Sequence, residues 1–276
     1  MYLILLYLKN ISFVKSLAIG DYKLAFGQGL TMGAGLAFTA TGCSLMRKAT
    51  KIRPSKSANE GGYLRGAATT LQYKNLEISV FYSYKRGDGK VSVLDSVSNE
   101  AMEISTIYQT GLHRNVSEIS SRRSFGQQLF GGNVSYRNAN FQIGYTIHNT
   151  RLSCNLVPNT YVYNTFYFRG KSLTVQGLDF YYTLPRAAFY GEGARSDNGG
   201  LAAIIGVTVQ PKGYIGFTVS YRNYAKDFQN FYSNAFSSGS VPRNEESWYL
   251  GTSVTFAPNW NLNANADFPR YKWIKN

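Results

Sequence analysis

The chain is short of the residues that usually announce an enzyme or a secreted disulfide scaffold. Its 276 residues include two cysteines, two histidines and seven prolines. Two cysteines cannot staple a disulfide-rich fold. Two histidines with no spaced carboxylate or second histidine beside them make no metal centre. Few prolines leave room for long uninterrupted strands. No apolar run is long enough for a membrane-spanning helix. The run over 2–8 (YLILLYL) has the length of a signal-peptide core, but no Lys or Arg precedes it, and Ser16-Leu17-Ala18 is a poor cleavage site. It reads instead as a strand, followed by a turn over 9–13, so the chain is expected to open inside a sheet as part of a longer protein. Acidic residues are also scarce, 15 against 29 basic, and the net charge of +14 calls for anionic neighbours. The candidates are nucleic acid, lipid phosphates and acidic polymers, met through basic loops. Oligomeric state is not encoded legibly.

What the chain has in quantity is aromatic residues, 22 Tyr and 17 Phe, and glycine. Over 76–85, Leu76, Ile78, Val80, Tyr82 and Tyr84 alternate with Glu77, Ser79, Ser83 and Lys85, leaving only Phe81 out of place. Period two means a strand with one apolar and one polar face. Tyr22, Leu24 and Phe26 alternate in the same way with Asp21, Lys23, Ala25 and Gly27. Similar stretches recur, including Phe141, Ile143, Tyr145 and Ile147, and Ile215, Phe217, Val219 and Tyr221. About twelve strands can be read, and every second connection is a tight turn while the others run moderate to very long. That alternation predicts an all-β, antiparallel, up-and-down transmembrane β-barrel with short periplasmic turns and long outer loops, and a Greek-key sandwich would mix the lengths. A mean hydropathy of -0.23 fits, because only alternate residues of such strands meet lipid. The end at Arg270-Tyr271-Lys272-Trp273-Ile274 is not a terminal aromatic strand, so an incomplete barrel within a single domain over 1–276 is expected. A short helix is expected near 117–129, inside a long loop over 86–128.

An ordered series of short motifs runs along the chain. It includes Gly20-Asp21-Tyr22, Phe26-Gly27-Gln28-Gly29-Leu30, Ile52-Arg53-Pro54, Ser57-Ala58-Asn59-Glu60 and Leu64-Arg65-Gly66-Ala67-Ala68. Thr110-Gly111-Leu112-His113-Arg114 with Glu118, Tyr190-Gly191-Glu192-Gly193-Ala194, Tyr221-Arg222-Asn223-Tyr224 and Asn244-Glu245 follow in order. The set resembles the β-barrel region of Bacteroidota outer-membrane proteins that carry an N-terminal helix-hairpin-helix domain. The helix-hairpin-helix repeats themselves are not in this sequence, so no DNA-binding role passes from them to these residues. The resemblance implies a barrel in the bacterial outer membrane. It marks Arg53, Glu60, Arg65, His113, Arg114, Glu118, Asn244 and Glu245 as loop residues that order one another or meet a partner.

No catalytic or metal-binding set emerges, and no cofactor is implied. His113 reads as a loop hydrogen-bonder and His148 as a rim residue. Gly27-x-Gly29 and Gly33-x-Gly35 lack the Gly-Lys-Ser/Thr ending of a phosphate loop and read as strand-end glycines that let the chain leave the rim. Cys43 and Cys154 fall in segments read as outer loops, where they stand either as a disulfide or as two free thiols. The charges expected to face the lumen are Asp21, Lys23, Glu77, Lys85, Asp179, Glu192, Arg222 and Asp267. They either line a channel or pair across a plugged lumen, with Tyr190, Tyr214 and Tyr249 filling space. Three functions follow: a transport component, a docking or adhesion scaffold with a closed lumen, and, least favoured, a rim hydrolase.

Overall fold

The computed structural model describes residues 6–33, 42–43, 45–47, 51–55, 62–96, 100–108 and 113–274. Their fourteen strands form one sheet, antiparallel but for one short parallel contact, that builds an outer-membrane-type β-barrel. The first strands are β1 (Leu6–Ile11), β2 (Val14–Leu24), the short β3 (Ile52–Pro54), β4 (Leu64–Tyr73), β5 (Leu76–Leu94) and β6 (Ala101–Tyr108). A five-residue helix α1 (Val116–Ser120) precedes β7 (Phe125–Arg137) and β8 (Phe141–Leu156). The remainder are β9 (Gly170–Leu184), β10 (Ala187–Ser196), β11 (Leu201–Lys212), β12 (Ile215–Tyr224), β13 (Glu245–Ala257) and β14 (Trp260–Arg270).

Setting aside the three-residue β3, which pairs only with β2, and β6, which pairs chiefly with the far end of β5, twelve of the fourteen strands make the wall. That matches the number legible in the sequence. β7 fills the place between β5 and β8, bonding β5 over 76–87 and β8 over 142–152. Among the described residues no ladder joins β1 to β14.

The two faces of the wall differ as the alternation requires. Along β5, Leu76, Ile78, Val80, Tyr82 and Tyr84 are exposed, and Glu77, Ser79, Phe81 and Ser83 are buried inside. Phe141, Ile143, Tyr145 and Ile147 of β8 are exposed in the same way. Aromatics ring the outer face near the short turns, among them Tyr73, Tyr136, Phe189, Tyr214, Phe256 and Trp260. A second ring holds Tyr84, Phe130, Trp248 and Phe268. Trp260 and Phe268 stand eight positions apart on one face of β14, which is about 26 Å along a strand and about 20 Å along the normal of a barrel tilted by about 40°. Girdles at that spacing fall a little inside the roughly 25 Å apolar band of transmembrane barrels. The turns between are tight because their residues accept left-handed backbone: Lys74 (φ 50°) turns β4 into β5, and Asn259 (φ 67°) turns β13 into β14.

Several expectations need correction. The segment after Arg86 is not a loop up to 128, because β5 runs on to Leu94 and folds back as β6 in a hairpin beyond the wall. The helix is confined to α1, whose N-terminus is capped by Asn115 Oδ1 accepting from the Glu118 amide at 2.8 Å. From Phe125 onward the chain finds ladder partners on both sides in β5 and β8, and strand wins. Tyr214 lies in the turn between β11 and β12 and is exposed, whereas Tyr190 and Tyr249 are fully buried inside the wall.

Candidate functional site

The concave side of the sheet is occupied by the chain itself. After β2 the backbone turns inward: Ala25 bridges Gly33, Phe26 N–H donates to Met32 O at 2.9 Å, and Gly29 N–H donates to Phe26 O at 3.1 Å. The resulting hairpin over 25–33 is buried along its whole length. Gly27 (φ +51°) makes the inward turn, and a Cβ there would lie 2.7 Å from Asp179 Cβ and from Glu192 Oε2. Gly27, Gly29 and Gly33 therefore lie on a chain folded into the lumen rather than out over the rim, and Gly35 lies outside the described residues.

The hairpin is held from all round the wall. The Glu192 carboxylate of β10 accepts from the amides of Leu30 (3.0 Å) and Thr31 (2.7 Å). His148 Nε2 of β8 donates to Thr31 O at 3.0 Å. The loop between β12 and β13 descends to meet the hairpin: Asn230 Nδ2 donates to Leu30 O and Thr31 O, and Gly33 N–H donates to Tyr232 O at 2.8 Å. Further along, Arg47 donates to Asn234 O at 2.9 Å, and Tyr249 of β13 donates to Gly42 O at 2.8 Å. Thr218 of β12 donates to Cys43 O at 3.1 Å. Lys51 pairs with Glu77 of β5 at 2.8 Å and donates to Ser135 of β7. One segment thus touches strands from β5 round to β13, so the sheet is curled about it.

Apolar contacts complete the filling. Phe26 and Met32 pack with Tyr22, Leu24, Ile52, Leu64, Phe81 and Leu129, and the rings of Phe26 and Phe81 stack at 6.0 Å. Leu30 joins Leu173, Val175, Ile204, Tyr224 and Phe228. Each fully buried large side chain contributes about 1.5–3 kcal/mol relative to exposure.

The wall and its internal plug are the setting for comparison with known proteins. No family model matches the chain, and no curated protein matches it. Among solved structures, it is similar to outer-membrane-expressed OmpT of Vibrio cholerae, at TM-score 0.44 and 10% identity, covering 94% of this chain and 67% of that one. In-vitro folded OmpT of Vibrio cholerae in its trimer form gives TM-score 0.36 and 11% identity over 96% of this chain and 80% of that one. OccK5 of Pseudomonas aeruginosa gives 0.27 and 10% over 95% and 80%. Likeness at these scores carries no function.

The charges anticipated for the lumen find different partners. Glu77 is buried and pairs with Lys15 and Lys51. Arg222, 1% exposed, pairs with Glu245 and, at 2.6 Å, with Asp267. Asp179 and Glu192 stand opposite each other in the β9–β10 register, both buried against the hairpin. Lys85 donates to Tyr63 O at 3.2 Å on the same inner side. Tyr22 and Leu24 take the inner face of β2 against the hairpin, so Asp21 and Lys23 alternate with them rather than sharing that face, although Asp21 is itself only 4% exposed. Asp21 forms a two-pronged pair with Arg65 at 2.7 and 2.9 Å.

The loop residues mostly order one another. Arg114 bonds Glu118 through its amide at 2.6 Å and its guanidinium at 3.4 Å, and the amide bond above all holds the Glu118 carboxyl below its usual range. His113, read as lacking a carboxylate, meets Asp88 Oδ2 at 2.9 Å, and the other Asp88 oxygen accepts from the Arg123 amide. Arg53 lies in β3. Asn244 adopts φ 52° and donates to Trp273 O at 2.9 Å. Glu245 is not in a loop but opens β13, where it also accepts from Ser238. Glu60 lies outside the described residues.

His148 is no rim residue: it is 1% exposed within β8, its ring set edge-on to Tyr232 at 5.9 Å. Both cysteines are free thiols. Cys154 sits in β8 rather than a loop and packs with Ile104, Phe125, Leu152 and Leu156, far along the wall from the partners of Cys43 on β12 and β13. The residues missed from sequence are the hairpin amides of Leu30 and Thr31, with Asn230 and Arg47. The one signal was Phe81, an aromatic on a polar face.

Proposed function

We propose that this chain is a non-enzymatic barrel of the bacterial outer membrane whose lumen is closed by its own inward-folded segment, and that it serves to dock a partner at the cell surface through its long loops. The observation that carries this reading is the Glu192 latch: a buried carboxylate takes two successive hairpin amides and holds the segment across the lumen. Hydrogen bonds to a charged group contribute about 1.5–3 kcal/mol, and a buried carboxylate without them would be strongly unfavourable. Glu77, Glu192, Arg222 and Asp267 bond to wall and plug rather than standing open to a water column. His113 with Asp88 acts as a loop strut, since Asp88 also takes the Arg123 amide. The motifs that resemble Bacteroidota barrels agree with an outer-membrane location. The basic excess suits the lipid and lipopolysaccharide phosphates there, leaving protein capture to the loops.

Planar-bilayer recording tests closure. The intact protein is expected to show no steady conductance, whereas Glu192→Ala, which releases the Leu30 and Thr31 amides, is expected to flicker open. A steady ohmic conductance from the intact protein would overturn the closed-lumen reading in favour of transport.

A further inference from the structure

At the long-loop end, apart from the plug, three segments meet around a cleft of about 170 Å³. The loop between β8 and β9 contributes Tyr163, Phe166 and Tyr167, the loop between β12 and β13 contributes Lys226 and Arg243, and the chain after β14 contributes Tyr271 and Trp273. The aromatic walls are fixed. Phe166 meets Trp273 edge-on at 5.2 Å, and the indole Nε1 donates to Val162 O at 2.8 Å. Lys226 Nζ lies 4.4 Å from the Phe166 ring centre and 4.7 Å from that of Trp273, and the Arg243 guanidinium lies 3.6 Å from that of Tyr167.

The cations of this cleft have no acidic partner: among the described residues no carboxylate lies in ion-pair reach of Lys226 or Arg243. Glu245, the acid among the described residues that borders the cleft, is engaged by Arg222 and Ser238.

We propose that this cleft binds one ring of an acidic saccharide, a sugar bearing a carboxylate, at the cell surface. The carboxylate answers the two cations, and the apolar face of the ring lies on the aromatic walls. Inorganic phosphate would answer only the cations, and a neutral sugar only the rings. The inference rests on the reading that the long-loop end faces outward, and it gives the docking surface a ligand class.

The test uses the full chain folded in detergent micelles, titrated calorimetrically with a glucuronic-acid oligosaccharide, with its neutral glucose counterpart and with inorganic phosphate. Saturable binding of the acidic oligosaccharide is expected, at least tenfold tighter than either control. Arg243→Gln and Lys226→Gln should each weaken it about tenfold, and Trp273→Phe should weaken it less, with every variant keeping the heat-shifted gel mobility of the folded barrel. Equal binding of the neutral sugar, displacement by equimolar phosphate, or undiminished binding by both cation variants would overturn the proposal. The titration does not depend on conductance. An open lumen would leave the cleft standing, and failure to bind would leave the closed lumen standing.

Discussion

Arg222 shows at the scale of one residue how the interior balances its charges. Its guanidinium is 1% exposed, faces Glu245 and Asp267 from two strands, and lies 4.5 Å from the Phe236 ring centre. The ion pairs alone are weak grounds for stability, because both partners lost water on burial. Removing one partner is different, since it strands the others. Arg222→Met keeps much of the volume and leaves the 1% exposed Glu245 carboxylate with only the Ser238 donors. A loss of about 3–5 kcal/mol is expected in urea unfolding followed by tryptophan fluorescence in micelles. Arg114→Met, which removes a 72% exposed partner of Glu118, should move the same transition by less than about 1 kcal/mol. Equal shifts would mean that the buried cluster carries no special weight.

Among the elements, α1 lies outside the wall and is the one whose order depends on pH by a visible route. The Glu118 carboxylate accepts from the Arg114 amide while the Glu118 amide donates to Asn115 Oδ1, a reciprocal arrangement that closes the helix start. Its carboxyl titrates below the ordinary 4.5, chiefly through the Arg114 amide. A folded value below the unfolded one means the stabilisation is complete above about pH 4.5 and is lost as pH falls through the folded value. Amide-exchange protection at Arg114 should therefore drop as pH falls below the ordinary 4.5, and Glu118→Gln should lack the drop. The same step in the Gln variant would assign it elsewhere. The elements also show what a sequence can tell. Strand faces in β5, β8 and β12 were legible because lipid and interior impose opposite polarities on alternate positions. The inner face of β2 was not, because Tyr22 and Leu24 answer to Phe26 and Met32 of a hairpin folded back on them, and period two says which residues share a face without saying which face is inside. Glu192 and Arg222 were legible as inward charges. Their partners, the Leu30 and Thr31 amides and Glu245 as a strand residue, come from contacts distant in sequence that no local pattern encodes. The far halves of β5 and β8, with Cys154, read as loop because beyond the bilayer the lipid-facing alternation relaxes.

At the scale of the whole molecule, the described residues between 25 and 51 reach across the lumen to β12 and β13, and the cysteine content gives a direct way to check it. Cys43 lies against Gly216 of β12: a Cβ built on Gly216 stands 3.7 Å from Cys43 Cβ and 3.2 Å from its Sγ. Disulfides join Cβ atoms about 3.5–4.5 Å apart. In a Cys154→Ser background, which removes the other thiol, Gly216→Cys should oxidise readily in outer-membrane preparations. Peptide mapping should then recover 43 linked to 216 within one chain. The bridge would tie the crossing segment to β12 covalently, so it should also silence any flicker that Glu192→Ala introduces, and reduction should restore it. No linked peptide under mild oxidation would mean that the segment does not rest on β12 in the membrane. A linked peptide with flicker undiminished would place the leak elsewhere than under this segment, and the latch would then hold the hairpin without governing the pore.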